Sequence, residues 1–487
     1  MDPPDDTARA RFLARLTEPV DGAGLVVFRV ALGVAIAAQC VRYLVKGWVR
    51  LHYIEPELHF TYPFFGWVAP WPGDGMLWHF VGLTVLATLF ALGLGYRVVT
   101  PLLFLGLAHW FLLDLTQYNN HYYLEVLLVG LAIFLPLERG WSVDAWRKPE
   151  LRSPWVPRWS LWLLRFQFGI VYVYGGLAKF DLDWLTGIPI RGILGGMEDQ
   201  ELYARINSEA GGLFLAWSGL ALDLFIVPLL LWRRTRIVAF LVITTFHLAN
   251  HSLFRIAVFP WLMIAATTIY FPPDWPRRLL RRAASAPPEG TRFRLSKPLL
   301  ALLALHVVFQ LSFPFRRLAY PGRATWTEEG NRFAWTMMLR HKITRTPFEI
   351  RAVTEDGRPV SWTFEMFVVD GEPVFQEIDA RGRPPRLHLE VPTNAQAFKL
   401  VEYEPYALLQ FAHHVAEVVR DRGYRDVEFY ARNQVSLNGR EPAFLVDPEV
   451  DLAAQETTLL PMPFLLPLQG DRPPEDPYGG RLRQAPR

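Results

Sequence analysis

Apolar stretches long enough to cross a bilayer recur through the first two thirds of the chain. The hydrocarbon core of a membrane is about 30 Å thick, and roughly 20 apolar residues span it as a helix. The seventh and eighth stretches are short and joined only by HSL, so they form either two spans or one broken or re-entrant hairpin. The pattern predicts about nine transmembrane helices, at residues 22–44, 75–93, 98–116, 121–138, 160–180, 211–232, 236–250, 254–271 and 298–315.

The composition supports a membrane protein and excludes other classes. Hydrophobic residues make up 51% of the chain, with 34 Phe and 18 Trp, which is unusually apolar and aromatic for a soluble protein. The net charge is only +3 and the basic residues form no stripe interleaved with aromatic residues, so we expect no nucleic-acid partner. Cys40 is the single cysteine, which excludes an internal disulfide.

Lys and Arg are distributed unevenly between the predicted loops. With the N-terminus in the cytoplasm, about 19 basic residues lie on the cytoplasmic side and about five on the other. An odd number of crossings then places the C-terminal region on the exoplasmic side. The polar N-terminus contains no short apolar core followed by a cleavage site, so we expect the first helix to remain as an anchor in the cell inner membrane.

From about residue 316 the sequence alternates with the period of two that is typical of strands. Asp370-Gly371 and Asn438-Gly439 predict hairpin turns, and residues 405–422 predict one amphipathic helix packed on the sheet. The sequence thus predicts a polytopic α-helical membrane bundle at residues 1–315, an exoplasmic β-rich α+β domain at 316–469 and a disordered tail at 470–487.

Three polar clusters fall at the predicted exoplasmic ends of different helices. Convergent polar groups at one depth of an apolar bundle indicate a pocket. The clusters are Asn119-Asn120-His121, the segment from Lys179 to Asp183, and His247 with Asn250 and His251.

Lys179 ends an apolar helix and follows Tyr174, Gly175 and Gly176. One interpretation is a terminal lysine that reaches the interface or pairs with one of the two aspartates that follow it. The other is a desolvated amine, because burial disfavours the ammonium form and leaves neutral amine able to take a proton from an acidic hydroxyl. The glycines would let a flat ligand or another helix approach the backbone closely.

The histidines also have two interpretations. An imidazole such as His121 or His247 is commonly satisfied by its neighbours. Beside two asparagines, His121 could instead orient a quinol hydroxyl or stabilise a carbanion or oxyanion, with Glu125 fixing the ring from one turn along the helix. No compact His, Cys and carboxylate spacing is present, so we predict no metal. Four charges inside predicted spans are expected to pair within the bundle or, alternatively, to line an ion pathway: Arg29, Arg165, Asp114 and Asp223.

Five motifs follow one another in an order that is specific in combination. They are YNNHYYL at 118–124, WSVD at 141–144, GGLAKFDLDWL at 175–185, FHLANHSLFRIAVFPW at 246–261 and WTEEGNRFAWTMMLRHK at 326–342. Over about residues 20–345 the chain resembles the vitamin K-dependent gamma-carboxylases and their bacterial relatives, which share the horizontally transferred transmembrane (HTTM) domain. The remaining region is similar only in outline, most clearly at NGREPAFLVDPEVDL.

The resemblance implies an activity and its co-substrates. Lys179 would deprotonate vitamin K hydroquinone or menaquinol, which enters from the lipid bilayer, and His121 would act in the carboxylation. The quinol anion would react with O2 to give a strong base that removes the γ-proton of a glutamate in an exported protein or peptide. CO2 would trap the carbanion, and the quinone would leave as its epoxide. The candidate substrate-binding residues are Asn119, Asn120, Tyr174, Gly175, Gly176, His247 and Asn250.

Three departures from the animal members limit what the resemblance implies. Ala178 stands where those members have a second lysine, their disulfide cannot form with one cysteine, and the exoplasmic region here is shorter. Three functions therefore stay open: a quinol-dependent glutamate carboxylase, a quinol epoxidase or oxidase without carboxylation, and a membrane transporter or receptor.

Overall fold

The computed structural model describes residues 8–195, 208–254, 256–282, 287, 290–369, 372–378, 387, 389 and 394–470. The first part of the chain is a helical bundle. Its helices are α1 (Ala8–Leu16), α2 (Ala23–Val45), α3 (Gly75–Leu92), α4 (Tyr96–Leu113), α5 (Asn120–Ala132), α6 (Val143–Arg147), α7 (Arg158–Ala178), α8 (Leu182–Leu185), α9 (Ile188–Gly195), α10 (Glu209–Leu231), α11 (Arg236–Phe254), α12 (Phe259–Thr267), α13 (Trp275–Leu279) and α14 (Lys297–Ser312).

Each of the nine predicted apolar stretches contains a helix. Among the described residues, seven helices are long and apolar enough to span a membrane, namely α2, α3, α4, α7, α10, α11 and α14 with the 3₁₀ turn after it. The two others are shorter, because α5 has 13 residues and α12 with its 3₁₀ turn covers only Phe259–Tyr270. The prediction that the seventh stretch is short was wrong, because the HSL segment continues α11 to Phe254. These helices make the chain an integral membrane protein.

Close packing and buried polar contacts hold the bundle together. A β-carbon on Gly33 of α2 would lie 2.7 Å from the carbonyl oxygen of Ala87 on α3, so this crossing requires glycine. The charges predicted inside the spans are all bound within the bundle. The two arginines bind backbone: Arg29 donates to the carbonyls of Ala91, Leu137 and Trp141, and Arg165 to those of Ile269 and Phe271. The two aspartates bind neighbouring groups: Asp114 accepts from Thr116, and Asp223 accepts from Lys179.

The end of the bundle that contains the N-terminal helix is closed by a short two-stranded sheet, in which β1 (Pro19–Asp21) pairs antiparallel with β2 (Trp155–Pro157). Asp21 accepts from the backbone of Ala23 at 2.8 Å and from Arg277 at 2.7 Å. The start of α2 is therefore tied both to the loop before α7 and to α13.

The second part of the chain contains two antiparallel sheets with helices packed against them. The elements are α15 (Ala324–Thr327), β3 (Lys342–Arg345), β4 (Phe348–Val353), β5 (Pro359–Val369), β6 (Glu372–Glu377), α16 (Ala395–Val401), α17 (Pro405–Asp421), β7 (Arg425–Ala431), β8 (Gln434–Leu437) and β9 (Ala443–Phe444). The larger sheet has the strand order β6-β5-β4-β7 and the smaller β3-β8-β9. The buried face of α17 packs on the larger sheet, for example through Phe411 on Phe348 and Phe429.

The predicted fold class is confirmed, including both hairpins and the amphipathic helix. Strands β5 and β6 pair up to Val369 and Glu372, and their connection at residues 370–371 lies outside the described part of the chain. The second hairpin has a longer connection than expected, because β8 ends before Asn438 and β9 begins at Ala443. Residues 471–487, the predicted disordered tail, also lie outside the described residues.

The β-rich part contacts one end of the bundle at three separate loops. Gln410 binds the backbone of Thr61, Thr336 binds Asn120, and Arg440 binds Asp183. The loops after α2, α4 and α7 therefore all reach the same end of the bundle. We call this contact region the junction.

Candidate active site at the junction

Lys179 lies at the junction, immediately after the last residue of α7. Its side chain is only 9% exposed. The ammonium donates to Oδ2 of Asp223 on α10 at 2.5 Å and to the carbonyl oxygen of Gly175 at 3.2 Å. It also lies 5.3 Å from the centre of the Trp184 ring, a cation–π distance. The pairing with a following aspartate, considered from the sequence, is not formed.

The two glycines before Lys179 let α10 approach α7. A β-carbon on Gly176 would lie 2.7 Å from the Leu224 side chain, and one on Gly175 would lie 3.1 Å from Oδ2 of Asp223. Of the two predicted uses of these glycines, the structure shows the close approach of another helix. This approach is what brings Asp223 to Lys179.

The two aspartates after Lys179 bind the β-rich part of the chain. Asp181 accepts from Arg323 at 2.7 and 2.9 Å. Asp183 is fully buried and accepts from Arg440 at 2.6 and 2.9 Å and from Asn438 at 2.8 Å. Burial alone would raise the pKa of Asp183, but the hydrogen bonds from Arg440 and Asn438 and the charge of Arg323 lower it below its ordinary value. These contacts fix the loop that holds Lys179.

A loop of the β-rich part, residues 328–338, inserts into the junction; we call it the inserted loop. Trp335 is fully buried in the core of the bundle, 4.9 Å from the Tyr123 ring. Phe333, Trp335 and Met338 have positive φ angles of 62°, 57° and 56°. Such angles are unfavourable for bulky residues, so tertiary packing must hold this backbone in place.

The inserted loop lies beside the helix that ends at Lys179 and also lines a polar cavity. A β-carbon on Gly175 would lie 3.3 Å from Cε of Met337, which places Met337 beside the Lys179–Asp223 pair. The preceding residue, Thr336, lines a cavity of about 260 Å³ between the bundle and the β-rich part. The charged and amide side chains that line this cavity are those of Asn119, Asn120, Glu328, Asn331, Arg332, Arg340 and Glu404.

The cavity wall is held by a buried ionic cluster. Glu328 accepts from Lys342 at 2.6 Å, from Asn331 at 2.8 Å and from Arg340. Burial would raise the pKa of Glu328, but the charges of Arg340 and Lys342 lower it, so this carboxyl stays ionised. Arg332 pairs separately with Glu404 at 2.8 Å.

Asn119 and Asn120 act first on the backbone. Asn119 caps α5 by accepting from the backbone N–H of His121 at 3.4 Å. Asn120 donates to the carbonyl oxygen of Thr336 at 3.1 Å and accepts from Tyr118 at 2.9 Å. Both also line the polar cavity, so they lie between the bundle and the inserted loop.

His121 lies among aromatic rings. It stacks on Phe259, the first residue of α12, with ring centres 4.8 Å apart, and contacts Tyr122 edge-on at 4.9 Å. Within the described part of the chain its imidazole forms no hydrogen bond, and its two ring contacts are with Phe259 and Tyr122 and not with the Lys179 region. Among the described residues, Glu125 forms no hydrogen bond with His121, and the Oε2 atom of this buried carboxylate has no partner there.

The remaining predicted site residues are spread through the bundle. His247 is buried and exchanges a hydrogen bond with the Tyr172 hydroxyl at 2.9 Å, which fits the interpretation of a satisfied imidazole. Asn250 lies nearly one turn further along α11 and is half-buried. Tyr174 donates to the carbonyl oxygen of Leu311 at the end of α14. The structure brings Lys179, Gly175 and Gly176 together but does not join them to His247.

Comparison with known families agrees with this architecture. A family model described as HTTM domain matches residues 17–275, more than half of the chain. A second, described as the lumenal domain of vitamin K-dependent gamma-carboxylase, matches residues 295–368 and 352–471. The chain belongs to the vitamin K-dependent gamma-carboxylase family. No solved structure matches it.

Membership in the gamma-carboxylase family has direct consequences. The matched domains support a vitamin K-dependent carboxylase function, with vitamin K, O2, CO2 and glutamate-containing proteins as the reactants that the family implies. The match to a lumenal domain indicates that the C-terminal part of this carboxylase is exoplasmic. No group of three or more His, Cys, Asp or Glu side chains in the described ranges could hold a metal ion.

Sequence reasoning missed three parts of the candidate site. Asp223 was recognised as a buried charge but not as the partner of Lys179, which is 44 positions away. Arg440 and the inserted loop were not recognised as parts of the junction. The signal for Asp223 was an isolated carboxylate in an apolar span, since such a group needs a cation nearby.

Proposed function

We propose that the protein is a quinol-dependent γ-glutamyl carboxylase in which the Lys179–Asp223 pair deprotonates the quinol. The observation that carries this proposal is the 2.5 Å contact between these two buried side chains at the junction. Nearby opposite charges hold an acid or an amine in its ionised form. A buried pair with few other partners therefore exchanges its proton more readily than one surrounded by fixed charges. The family membership favours this enzyme over a transporter or receptor.

The proton balance of the step requires both residues. Lys179 passes one proton to Oδ2 of Asp223, and the freed amine takes the proton of a quinol hydroxyl. The negative charge moves from Asp223 to the quinol oxygen, and the ammonium stays between them. No net charge is created in a region of low dielectric, which keeps the cost of the step small. The deprotonated quinol then supplies the reducing and basic chemistry of the reaction.

Gly219 on α10 offers a route by which the quinol approaches Lys179. The nearest atoms to a β-carbon built on this half-buried glycine are Cε of Lys179 and Cζ2 of Trp184, both 3.9 Å away. The neighbouring residues Trp217 and Phe180 are exposed, with fractions of 53% and 60%. A flat, apolar ring fits a surface of this kind, so we assign Gly219 to the quinol entrance.

The polar cavity suits the glutamate of a peptide substrate. Arg332 and Arg340 can bind a carboxylate, and Asn119 and Asn120 can donate hydrogen bonds to it. Thr336 lines the cavity and the next residue, Met337, lies beside Gly175. We therefore propose that the glutamate reaches the junction through this cavity, whereas the quinol arrives over α10. His121, among aromatic rings, is proposed to act on the carbanion in a site that excludes water.

The orientation and the domain limits follow from the same assignment. We place the N-terminus in the cytoplasm, the bundle of residues 1–315 in the cell inner membrane and residues 316–469 on the exoplasmic side. Vitamin K hydroquinone or menaquinol, O2 and CO2 are the proposed reactants. The proposed partners are a lipid quinol, the bilayer and a glutamate-containing exported protein.

Reconstituted full-length protein tests the proposal. With reduced menaquinone, O2, labelled CO2 and a Glu peptide, it should form the quinone epoxide and fix label in the peptide. Lys179→Ala should abolish both products, whereas Lys297→Ala, which removes an exposed lysine at the start of α14, should retain both. An active Lys179→Ala variant would contradict the assignment of the base.

One observation favours a second candidate, quinol epoxidation without carboxylation. Arg332 and Arg340 are already paired with Glu404 and Glu328, so an incoming carboxylate must compete with these partners. Epoxide formation without label in any of a wide panel of peptides would select this candidate. The same result would leave the role of Lys179 intact.

A further inference from the structure

A basic pocket lies at the end of the bundle opposite the junction. It has a volume of about 400 Å³ and is lined by three arginines, Arg139, Arg152 and Arg277, together with Trp141 and Trp146. These residues come from the segment between α5 and α7 and from α13. The pocket is thus formed where several chain segments meet at the edge of the membrane.

The positive charge of this pocket is only partly neutralised. Arg277 pairs with Asp21 at 2.7 Å and lies 5.1 Å from the Trp141 ring. Arg139 approaches the Phe293 ring at 5.8 Å, and neither Arg139 nor Arg152 has a carboxylate partner in the part of the chain that the structure describes. Among the other acidic groups nearby, Glu138 binds Arg97 and Asp144 caps the start of α4. Glu150 is exposed beside the lining residue Pro149 and forms no ion pair with the pocket arginines in the described ranges. Of the three guanidinium groups, that of Arg277 is the one paired with a carboxylate in this part of the structure.

The basic pocket continues into an apolar groove between α2 and α3. The groove has a volume of about 780 Å³ and shares Trp141, Ser142 and Trp146 with the pocket. Along the helices it is lined by apolar and small side chains, such as those of Val34 and Ala38. A ligand that occupied both would have an anionic group at the membrane edge and a hydrocarbon chain along the span.

A buried charge adds to the potential at the end of this groove. Arg29 lines the groove and donates to three backbone carbonyls, but no carboxylate in the described ranges pairs with it. Its hydrogen bonds all go to backbone carbonyls, and the carboxylates of Glu138 and Asp144 lie near enough to offset part of its charge. The remaining positive charge reinforces the attraction of an anion to the nearby pocket.

We propose that this composite site binds an anionic glycerophospholipid. The phosphate lies between Arg139 and Arg152 in the basic pocket, and one acyl chain lies in the groove between α2 and α3. Basic pockets between helices at the cytoplasmic membrane edge are suited to anionic head groups. A free phosphate would use only the pocket, and a zwitterionic lipid would gain little from two unpaired guanidinium groups.

Native mass spectrometry of the full-length protein with defined lipids tests the charge of the ligand. Phosphatidylglycerol should be retained in preference to phosphatidylcholine, and Arg139→Gln with Arg152→Gln should weaken that retention about 30-fold, since each basic residue contributes about 1 kcal/mol. The matched control removes Arg147 and Lys148, which are exposed on the same segment but do not line the pocket. Equal retention of both lipids by the unchanged protein would overturn the proposal.

A second pair of variants tests the groove. Ala38→Trp fills it without touching the arginines, and Leu105→Trp places the same bulk on the exposed face of α4. Only Ala38→Trp should release phosphatidylglycerol, while thermal melting of both variants should match the unchanged protein. The proposal is wrong if the Ala38→Trp variant still retains phosphatidylglycerol and if glycerol phosphate displaces that lipid. Such a site would recognise only the head group.

Discussion

Two buried lysines occupy different regions of the molecule and have different surroundings. Lys342, in the β-rich part, donates to Glu328 at 2.6 Å and to the carbonyls of Trp326 and Tyr403 at 2.7 and 3.4 Å. These three acceptors match the three N–H groups of an ammonium. Lys179, in the bundle, donates to one carboxylate oxygen and one carbonyl oxygen.

The carboxylates that bind these two lysines also differ in their number of partners. Glu328 is shared by Lys342, Arg340 and Asn331, and the pKa of this carboxyl is lowered by those cations despite its burial. Asp223 contacts Lys179 alone among the cations of the described part of the chain. A carboxylate with several cationic partners stays ionised and fixes structure, whereas one with a single partner can accept a proton. The comparison explains why the chemistry is assigned to the bundle lysine.

Replacing each lysine by methionine tests the comparison most directly. Lys179→Met should reduce epoxide formation by at least about 1,000-fold, because the deprotonating amine is lost. Lys342→Met should leave turnover per folded molecule within about threefold of the unchanged protein. The rates are measured with reduced menaquinone at saturating O2 in reconstituted vesicles. Equal loss of turnover per folded molecule in the two variants would show that the two lysines do not differ in function.

The main effect of the Lys342 variant should be on stability. Lys342→Met should lower the free energy of unfolding by about 3–5 kcal/mol, because Glu328 is left buried with one cation fewer. Denaturant unfolding followed by tryptophan fluorescence measures this change. Lys399→Met, at an exposed position of α16, is the matched control and should change stability by less than about 0.5 kcal/mol.

Asp223→Asn keeps the shape of the Lys179 pair but removes its negative charge. The amide can hydrogen-bond to Lys179 but cannot take up its proton, so turnover should fall about 100-fold while quinol affinity changes little. The Michaelis constant for quinol and kcat, measured separately, distinguish these effects. A variant with normal kcat would show that the carboxylate is not the proton acceptor.

Gly219→Leu tests whether the bundle lysine is reached over α10. The larger side chain covers Lys179 and Trp184, so the Michaelis constant for quinol should rise about tenfold while kcat changes less. Gly82→Leu, on α3 where a β-carbon meets nothing within 4 Å, is the control. Gly219→Ala should behave like the unchanged protein, since its β-carbon fits at 3.9 Å. An unchanged Michaelis constant in Gly219→Leu would place the entrance elsewhere.

The helices of the bundle were predictable because span length and apolarity are local properties of the sequence. The choice of partners was not local. The aspartates nearest Lys179 in sequence bind Arg323 and Arg440, which lie more than 130 positions away. Asp223 became the partner of Lys179 only because Gly176 lets α10 approach α7. The prediction of a buried lysine was therefore possible, but the identity of its carboxylate was not.

The inserted loop shows a second limit of sequence reasoning. Phe333, Trp335 and Met338 adopt positive φ angles that no local preference of these residues favours. Burial of Trp335 in the bundle offsets that cost, and the sequence does not show which core an aromatic residue will enter.

His247 was given two interpretations from the sequence. Its hydrogen bond to Tyr172 fits the interpretation that its imidazole is satisfied by a neighbour, which is the common outcome for a buried histidine.

Asp183 is a third buried carboxylate, and its loss should change the properties of the protein least. Like Glu328, it has several donors, and its pKa is lowered by the hydrogen bonds from Arg440 and Asn438 and by the charge of Arg323, against the effect of burial. A carboxyl with a lowered pKa stabilises the folded state above its ordinary value near 3.9, and this contribution is lost as the pH falls through the lowered value. Contact between the bundle and the β-rich part should therefore be constant above about pH 4 and weaken below it.

Hydrogen exchange of residues 434–440 between pH 6 and pH 2.5, corrected for the intrinsic rate, measures this contact. Asp183→Asn should lower protection by about 1–3 kcal/mol at pH 6 and flatten the dependence at low pH, because the titrating group is absent. Asp74→Asn, which breaks an exposed pair with Arg50, should change neither quantity. If the dependence persists in Asp183→Asn, another carboxyl controls the junction, and Asp183 does not belong with Glu328 among the carboxylates that fix structure.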